Sequence, residues 1–129
     1  MPKPEDCRFT KEHEWVFPDG DALLVGITDF AQKELGDIVY VDLGENERRI
    51  AAGDEVGTIE SVKAVVEVYA PVSGQLVEIN VQLTDAPEMV NEDPTGEGWL
   101  FRMKADSADA IESLLTFAQY SDYLEDAAE

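Results

Sequence analysis

Two runs of strand-forming residues, separated by a single lysine, constrain the fold of this chain more than any other feature. Residues 57–62 and 64–70 are rich in Val, Ile, Thr and Tyr, whose side chains fit a pleated sheet. Lys63 falls where the chain should reverse, so the pattern predicts a β-hairpin with this lysine at its tip. An ammonium group at such a tip is held out in water, where another enzyme can reach it.

The charge balance excludes several classes of partner. The chain has 129 residues, which predicts a single domain over 1–129, and 44% of them are hydrophobic. Its 29 acidic and 9 basic residues give a net charge of −20. Nucleic acids and anionic membrane surfaces are excluded as partners, because both require clustered Lys and Arg. The same charge favours a monomer and steers the chain towards proteins with basic faces.

Cysteine usage and hydropathy predict a cytoplasmic protein. Cys7 is the only cysteine, so an internal disulfide is impossible and a reducing compartment is the simplest interpretation. The first residues show no apolar signal core. The longest clearly apolar run, at residues 22–27, is too short to span a bilayer.

Strand patterns outside the central hairpin indicate a mainly β chain. We expect strands at the apolar end of 9–17 and at 22–27, 37–43, 75–81 and 99–104, with a further short segment from 48. Pro and Gly at 18–21 predict a turn between the first two.

The helical patterns are short. Thr28 is a good N-cap for a two-turn helix over 29–35, which Gly36 ends. A second short helix is expected at 85–90, followed by a loop at 91–98 that is rich in turn formers.

The C-terminal composition differs from the rest. Apolar residues at helical spacing predict a helical region over about 106–129, broken near 119–121. Carboxylates but no Lys or Arg follow Lys104, so one face should be strongly negative. We interpret this face as a solvated helix surface.

No motif in the sequence builds an active site. His13 and Glu14 are adjacent, but the second histidine of a helical zinc motif is missing. Cys7 and His13 have no evident third partner for nucleophilic catalysis. We therefore expect neither catalytic residues nor a metal site.

The residues alone leave three roles open for Lys63. It could be a solubilising hairpin lysine in a plain interaction module. A Schiff-base nucleophile would need burial or a nearby cation, whereas Glu60 and Glu67 favour the ammonium form. The third role is acylation by a cofactor that carries the chemistry itself.

The residues around Lys63 resemble the lipoylation segment of glycine cleavage system H proteins. Residues 60–64 and 68–74 carry this resemblance. Further segments resemble the family in the right order, at 13–16, 26–32, 35–39, 90–94, 98–101 and 111–115. The resemblance covers nearly the whole chain. It implies a biotinyl/lipoyl-carrier-like fold, a flattened barrel-sandwich hybrid with short helices.

The resemblance also implies roles for individual residues. Lys63 would carry lipoate through an amide bond. Glu60 and Gly74 occupy positions three before and eleven after the lysine that recur in lipoyl acceptors. Biotin carriers typically place methionines around their lysine, so Val62 and Ala64 argue against biotin.

The implied function is that of a non-catalytic carrier. The lipoyl arm would move the aminomethyl group of glycine from a pyridoxal-phosphate glycine decarboxylase to a tetrahydrofolate-dependent aminomethyltransferase. A flavin (FAD) dihydrolipoamide dehydrogenase would then reoxidise the arm, and a lipoate-attaching enzyme is the fourth implied partner. The alternative is a lipoyl relay protein that serves another lipoate-dependent pathway.

A loaded carrier must shelter its cargo from water, since an aminomethyl thioether is prone to hydrolysis. The resemblance implies that Glu14 and Glu67 line this cleft, with Glu12 as a further candidate. A carboxylate is a strong acceptor for the ammonium of the cargo. Val66 departs from the family, which often places a small polar residue there.

Overall fold

The computed structural model describes residues 3–44, 47–107 and 109–128, and strand pairing sorts this part of the chain into two antiparallel sheets. The strands are β1 Arg8–Phe9, β2 Glu14–Asp19, β3 Ala22–Ile27, β4 Ile38–Asp42, β5 Arg48–Ile50, β6 Glu55–Ser61, β7 Val65–Tyr69, β8 Gly74–Ile79 and β9 Phe101–Ala105. One sheet has the order β1-β2-β3-β9-β8-β5, and the other has the order β4-β6-β7. The prediction of a mainly β chain is confirmed.

The main apolar core draws side chains from both sheets. Val16 and Val25 of the six-stranded sheet and Ile59 of the three-stranded sheet are fully buried within one cluster. Alternation along each strand places these side chains on its inner face. A second, smaller cluster contains Phe9, Trp15 and Tyr120.

The predicted lysine hairpin is present. Strands β6 and β7 pair antiparallel, with Glu60 opposite Val65 and Ile59 opposite Val66. Residues 62–64 form the connection, so Lys63 lies at the tip. Both runs of β-branched residues therefore become strands of one sheet.

Helix α1, Asp29–Leu35, has the bounds and caps expected from the sequence. The Thr28 hydroxyl accepts a hydrogen bond from the backbone N–H of Ala31 at 3.2 Å. Gly36 has a φ of 74°, and its N–H donates to the Gln32 carbonyl. A left-handed residue at this position suits glycine, which has no Cβ to clash.

The helix predicted at 85–90 is wrong. Two one-turn helices overlap the two ends of that segment instead, α2 Gln82–Asp85 and α3 Met89–Glu92. Ala86 leaves the helical conformation with φ −135° and ψ 64°, because the ring of Pro87 disfavours helical geometry in the residue before it. The loop predicted at 91–98 consequently begins only after α3.

The C-terminal region also differs in detail. A 3₁₀ turn, Ala110–Ser113, precedes helix α4, Phe117–Ala128, which runs through the break predicted near 119–121. The interruption comes earlier, where Leu115 exchanges backbone hydrogen bonds with Phe9. The Thr116 hydroxyl and the Gln119 amide then cap each other's backbone N–H groups, a capping box that starts α4. Ala108 and Glu129 of the predicted region lie outside the described residues.

The described helices include none that is both long and apolar enough to cross a membrane.

Replacing Gly74 tests how tightly β8 and β9 pack. A Cβ atom at this buried position would overlap the carbonyl oxygen of Lys104 on β9. We expect Gly74→Ala to lower the free energy of unfolding by about 1–3 kcal/mol, the usual cost of overpacking. Urea denaturation measures this change in the free energy of unfolding. The neighbouring Gln75→Thr, at an exposed position, should change the same quantity by less than about 0.5 kcal/mol. Equal stability of Gly74→Ala and wild type would contradict the packing.

Candidate functional site

The tip of the lysine hairpin is shaped by a buried serine. The Ser61 hydroxyl accepts hydrogen bonds from the backbone N–H groups of Lys63 and Ala64, both at 3.1 Å. The Ser61 N–H donates to the Ala64 carbonyl at 2.8 Å. Neither Val62 nor Lys63 has the positive φ of the common two-residue hairpin turns. The serine side chain therefore holds the tip in one conformation.

The tip is also attached to the end of helix α1. The Val62 N–H donates to the Asp37 carbonyl at 3.0 Å. The methylenes of Lys63 lie beside Gly36, where a Cβ would come within 3.3 Å of Lys63 Cε. Lys63 itself is exposed, and no ion pair of the described residues involves its ammonium group. The lysine thus has a fixed backbone and an accessible amine.

A cleft of about 570 Å³ opens next to this tip. Its lining includes Leu35, which precedes Gly36, and Val66, which is three residues beyond Lys63. Three residues of chain span at most ~11 Å, so Val66 lies within that distance of Lys63. A side chain extended by a cofactor at Lys63 would therefore reach the cleft.

The cleft has apolar walls and four carboxyl groups. The walls include Ile27, Leu35, Ile59, Val66 and Val68. Three of the carboxyl groups belong to residues named from the sequence, Glu12, Glu14 and Glu67. Such a lining suits a group with an apolar stem and a cationic end.

Two further polar residues of the cleft escaped the sequence analysis, Glu34 and His13. Glu34 lies one turn after Phe30 on α1, and residues four apart share a helix face. That spacing could have identified Glu34. No local signal could have placed His13, whose neighbours in the sequence form neither a zinc motif nor a catalytic triad.

Glu14 is the most perturbed acid of the cleft. Only 2% of its surface is exposed. One carboxyl oxygen accepts the backbone N–H of Tyr69 at 2.8 Å, and the other accepts the Thr10 hydroxyl at 3.3 Å. Burial raises the pKa of Glu14 to about 7, against the effect of these hydrogen bonds and aided by the charge of Glu12. Glu14 can therefore gain or lose its proton near neutral pH.

The two residues linked to lipoylation by resemblance lie in different surroundings. Glu60 is exposed on β6, between Tyr40 and Val65 of the neighbouring strands. Gly74 is buried at the start of β8, against β9. Close packing is a sufficient physical reason for glycine there, and recognition by a ligase stays a prediction for both residues.

Comparison with known proteins identifies the family to which this arrangement belongs. The family model described as Glycine cleavage H-protein matches residues 7–127. The chain belongs to this family. Its members are the lipoyl carriers of the glycine cleavage system, as the residues around Lys63 indicated.

Individual proteins that are similar to this chain belong to the same family. The chain is 48% identical to the glycine cleavage system H protein of Thermus thermophilus over 128 residues, which cover 99% of this chain and 100% of that protein. It is 50% identical to the H protein of Herpetosiphon aurantiacus over 125 residues, covering 97% and 95% of the two chains. The crystal structure of an H protein from Mycobacterium marinum superposes with a TM-score of 0.85 at 36% identity, covering 95% of this chain and 99% of that one. The predicted carrier-type fold is thereby confirmed.

The titration of Glu14 should make the free energy of unfolding depend on pH. Its pKa is higher in the folded than in the unfolded chain, so the folded state binds more protons between pH 4.5 and about 7. This contribution to the free energy of unfolding is complete below pH 4.5 and is lost as the pH rises through about 7. Relative to that of Glu14→Gln, the free energy of unfolding of wild type should fall by about 2–3 kcal/mol over that pH interval.

Urea denaturation at a series of pH values measures this difference. The exposed Glu60→Gln serves as the matched control and should keep the wild-type profile. Parallel pH profiles for wild type and Glu14→Gln would show that the carboxyl group titrates normally.

Proposed function

We propose that Lys63 is the lipoate attachment site of this chain, which acts as a single-domain, non-catalytic carrier of the glycine cleavage system. The observation that carries the proposal is an exposed lysine on a rigid hairpin tip, next to a cleft with apolar walls and four carboxyl groups. A modifying enzyme can attach lipoate only to an exposed lysine amine. The loaded lipoyl arm can be sheltered only if a cleft lies within its reach.

The residues present fit a lipoyl group. Once joined to Lys63 through an amide bond, lipoate supplies a dithiolane that takes up and releases the aminomethyl group of glycine. Amide formation removes the lysine charge, so the extended side chain is uncharged, with apolar methylenes on both sides of the polar amide. Ile59, Val66 and Val68 offer apolar surface to such a stem.

The carboxyl groups of the cleft attract the positively charged ammonium group of the cargo. An ammonium brought near Glu14 favours its ionised form, since opposite charges lower the pKa of a carboxyl group. Glu67, Glu12 and Glu34 add negative charge around the same space. Glu14 then accepts a charge-assisted hydrogen bond within a cleft whose walls limit the access of water.

The surface charge suits repeated docking to several enzymes. The proposed partners are the glycine decarboxylase, the aminomethyltransferase, the dihydrolipoamide dehydrogenase and the lipoate-attaching enzyme. A net charge of −20 accelerates encounters with basic faces and makes them sensitive to salt. Val62 and Val65 are 67% and 60% exposed beside the lysine and offer apolar contact area at the same place. A shuttle of this kind works best as a monomer.

Lys63→Arg should abolish lipoylation. Protein produced in lipoate-fed cells with a competent ligase should gain one lipoyl mass increment, measured by intact mass spectrometry, because Lys63 presents an accessible amine. Arginine keeps the charge but cannot form the amide. Lys33→Arg, at another exposed lysine, should gain the increment like wild type.

A wild-type chain without the increment would overturn the attachment site. Reconstitution of lipoylated wild type with the three glycine cleavage enzymes then separates the carrier from a relay protein. Glycine-dependent turnover supports the carrier, and its absence supports the relay.

Glu14→Ala should shorten the lifetime of the loaded carrier without preventing lipoylation. A hydrogen bond to a charged group is worth about 1.5–3 kcal/mol, so the release of ammonia and formaldehyde from the isolated loaded protein should accelerate about 10- to 100-fold. Glu60→Ala, outside the cleft, should release them at the wild-type rate. Equal rates for Glu14→Ala and wild type would remove Glu14 from the proposed cleft function.

A further inference from the structure

A tyrosine of the C-terminal helix contacts the wall of the cleft. Tyr120 on α4 is 3% exposed, and its ring stacks on Phe9 at 4.8 Å between centroids. Its hydroxyl lies 2.9 Å from His13 Nδ1 and 2.9 Å from Thr28 Oγ1. Because His13 lines the cleft, this three-residue chain connects α4 to the cleft wall.

The available donors determine the direction of these hydrogen bonds. Thr28 Oγ1 already accepts the Ala31 N–H as the cap of α1, and Thr28 is buried. Its hydroxyl hydrogen has one acceptor among the described residues, the Tyr120 oxygen. Tyr120 must then donate its own hydrogen to His13 Nδ1. The opposite direction would leave the Thr28 hydrogen buried and unpaired, which is unfavourable.

This direction decides the protonation of the imidazole. When Nδ1 accepts a hydrogen bond, the single hydrogen of neutral imidazole lies on Nε2. Protonation of Nδ1 would remove the acceptor of the Tyr120 hydroxyl, so one buried hydroxyl hydrogen of the chain, on Tyr120 or on Thr28, would be left without a partner. The hydroxyl of Tyr120 thus opposes a positive charge on His13.

The backbone holds His13 firmly in this place. The residue has a φ of 66°, which is uncommon for a side-chain-bearing residue. Its N–H donates to the Thr10 carbonyl at 3.1 Å, and its carbonyl accepts the Thr28 N–H at 2.9 Å. The ring also packs on Phe30 of α1, at 4.8 Å between centroids. The imidazole is therefore fixed from its own loop, from α1 and from α4.

Charged and titratable groups surround the ring on all of these elements. Glu12 lies on the same loop, Glu34 on α1, and Tyr123 on α4 with Lys11 over its ring. Burial lowers the pKa of His13, while the charges of Glu12 and Glu34 raise it, and burial has the larger effect. This direction agrees with the hydrogen-bond chain.

We propose that Tyr120 is a positioning residue, which holds His13 as the neutral Nε2–H tautomer in the cleft wall. The consequence for transport rests on the proposed function: a neutral imidazole places no positive charge beside a cationic cargo. The C-terminal helix α4 then contributes to the cleft by fixing the protonation of one of its wall residues.

Nitrogen NMR of the unlipoylated chain tests the tautomer directly. His13 is the only histidine of the sequence, so its imidazole signals need no assignment. Wild type should show Nδ1 without hydrogen and Nε2 with it. Tyr120→Phe removes only the hydroxyl and keeps the ring on Phe9. In this variant we expect mixed tautomers and a His13 pKa higher by about half to one pH unit.

Tyr123→Phe is the matched control. It lies on the same helix, with its ring 6.0 Å from that of His13, and its hydroxyl contacts the Lys11 carbonyl instead. This variant should keep the wild-type tautomer and pKa. At the other end of the chain, Thr28→Val should reproduce the effect of Tyr120→Phe, and Thr28→Ser should restore wild-type behaviour.

Two results would overturn the proposal: an Nδ1–H tautomer in wild type, or an identical His13 pKa in wild type and Tyr120→Phe. Backbone amide spectra of each variant show whether it folds, and Thr28→Val gives the answer if Tyr120→Phe does not.

The lifetime of the loaded carrier separates this proposal from the proposed function. Tyr120→Phe should release ammonia and formaldehyde several-fold faster than Tyr123→Phe. If the NMR changes occur and the lifetime stays the same, the positioning role holds and the consequence for transport is wrong, whereas the function of the cleft is decided separately by Glu14→Ala.

Discussion

A hydrogen bond between the carboxyl group of Glu14 and the backbone N–H of Tyr69 joins the two sheets of this protein. Glu14 begins β2 in the six-stranded sheet, and Tyr69 ends β7 in the three-stranded sheet. Burying a carboxyl group is unfavourable unless it is hydrogen-bonded, and this bond together with the one from Thr10 offsets part of that cost. The same group lines the cleft, so the contact that links the sheets also sets the acidity of the site.

The cleft depends on segments that are far apart in the chain. Helix α1 and strand β7 form its walls, and the segment that carries Glu12, His13 and Glu14 closes one side. Thr10 organises that segment, since its hydroxyl accepts the backbone N–H groups of Glu12 and Glu14. Helix α4 reaches it through Tyr120. Misplacement of any one of these elements would therefore change the surroundings of the others.

Under the proposed function, the lysine hairpin has to meet two requirements that usually conflict. A modifying enzyme requires an exposed amine, and a carrier requires an arm that returns to one place. Ser61 resolves the conflict by fixing the backbone of the tip while the Lys63 side chain stays in water. The bond from Val62 to the Asp37 carbonyl keeps the tip beside α1 and thus beside the cleft.

The sequence by itself determined the features that depend on neighbouring residues. Runs of β-branched residues around Lys63 were enough to predict the hairpin, and Thr28 with Gly36 defined both ends of α1. Local patterns failed at 85–90, where Pro87 divides the predicted helix, and at α4, whose start is set by pairing of Leu115 with Phe9. Only the tertiary structure decided the pKa of Glu14 and the environment of His13. Their hydrogen-bond partners lie 55 and 107 residues away, and burial at that range follows from the packed fold.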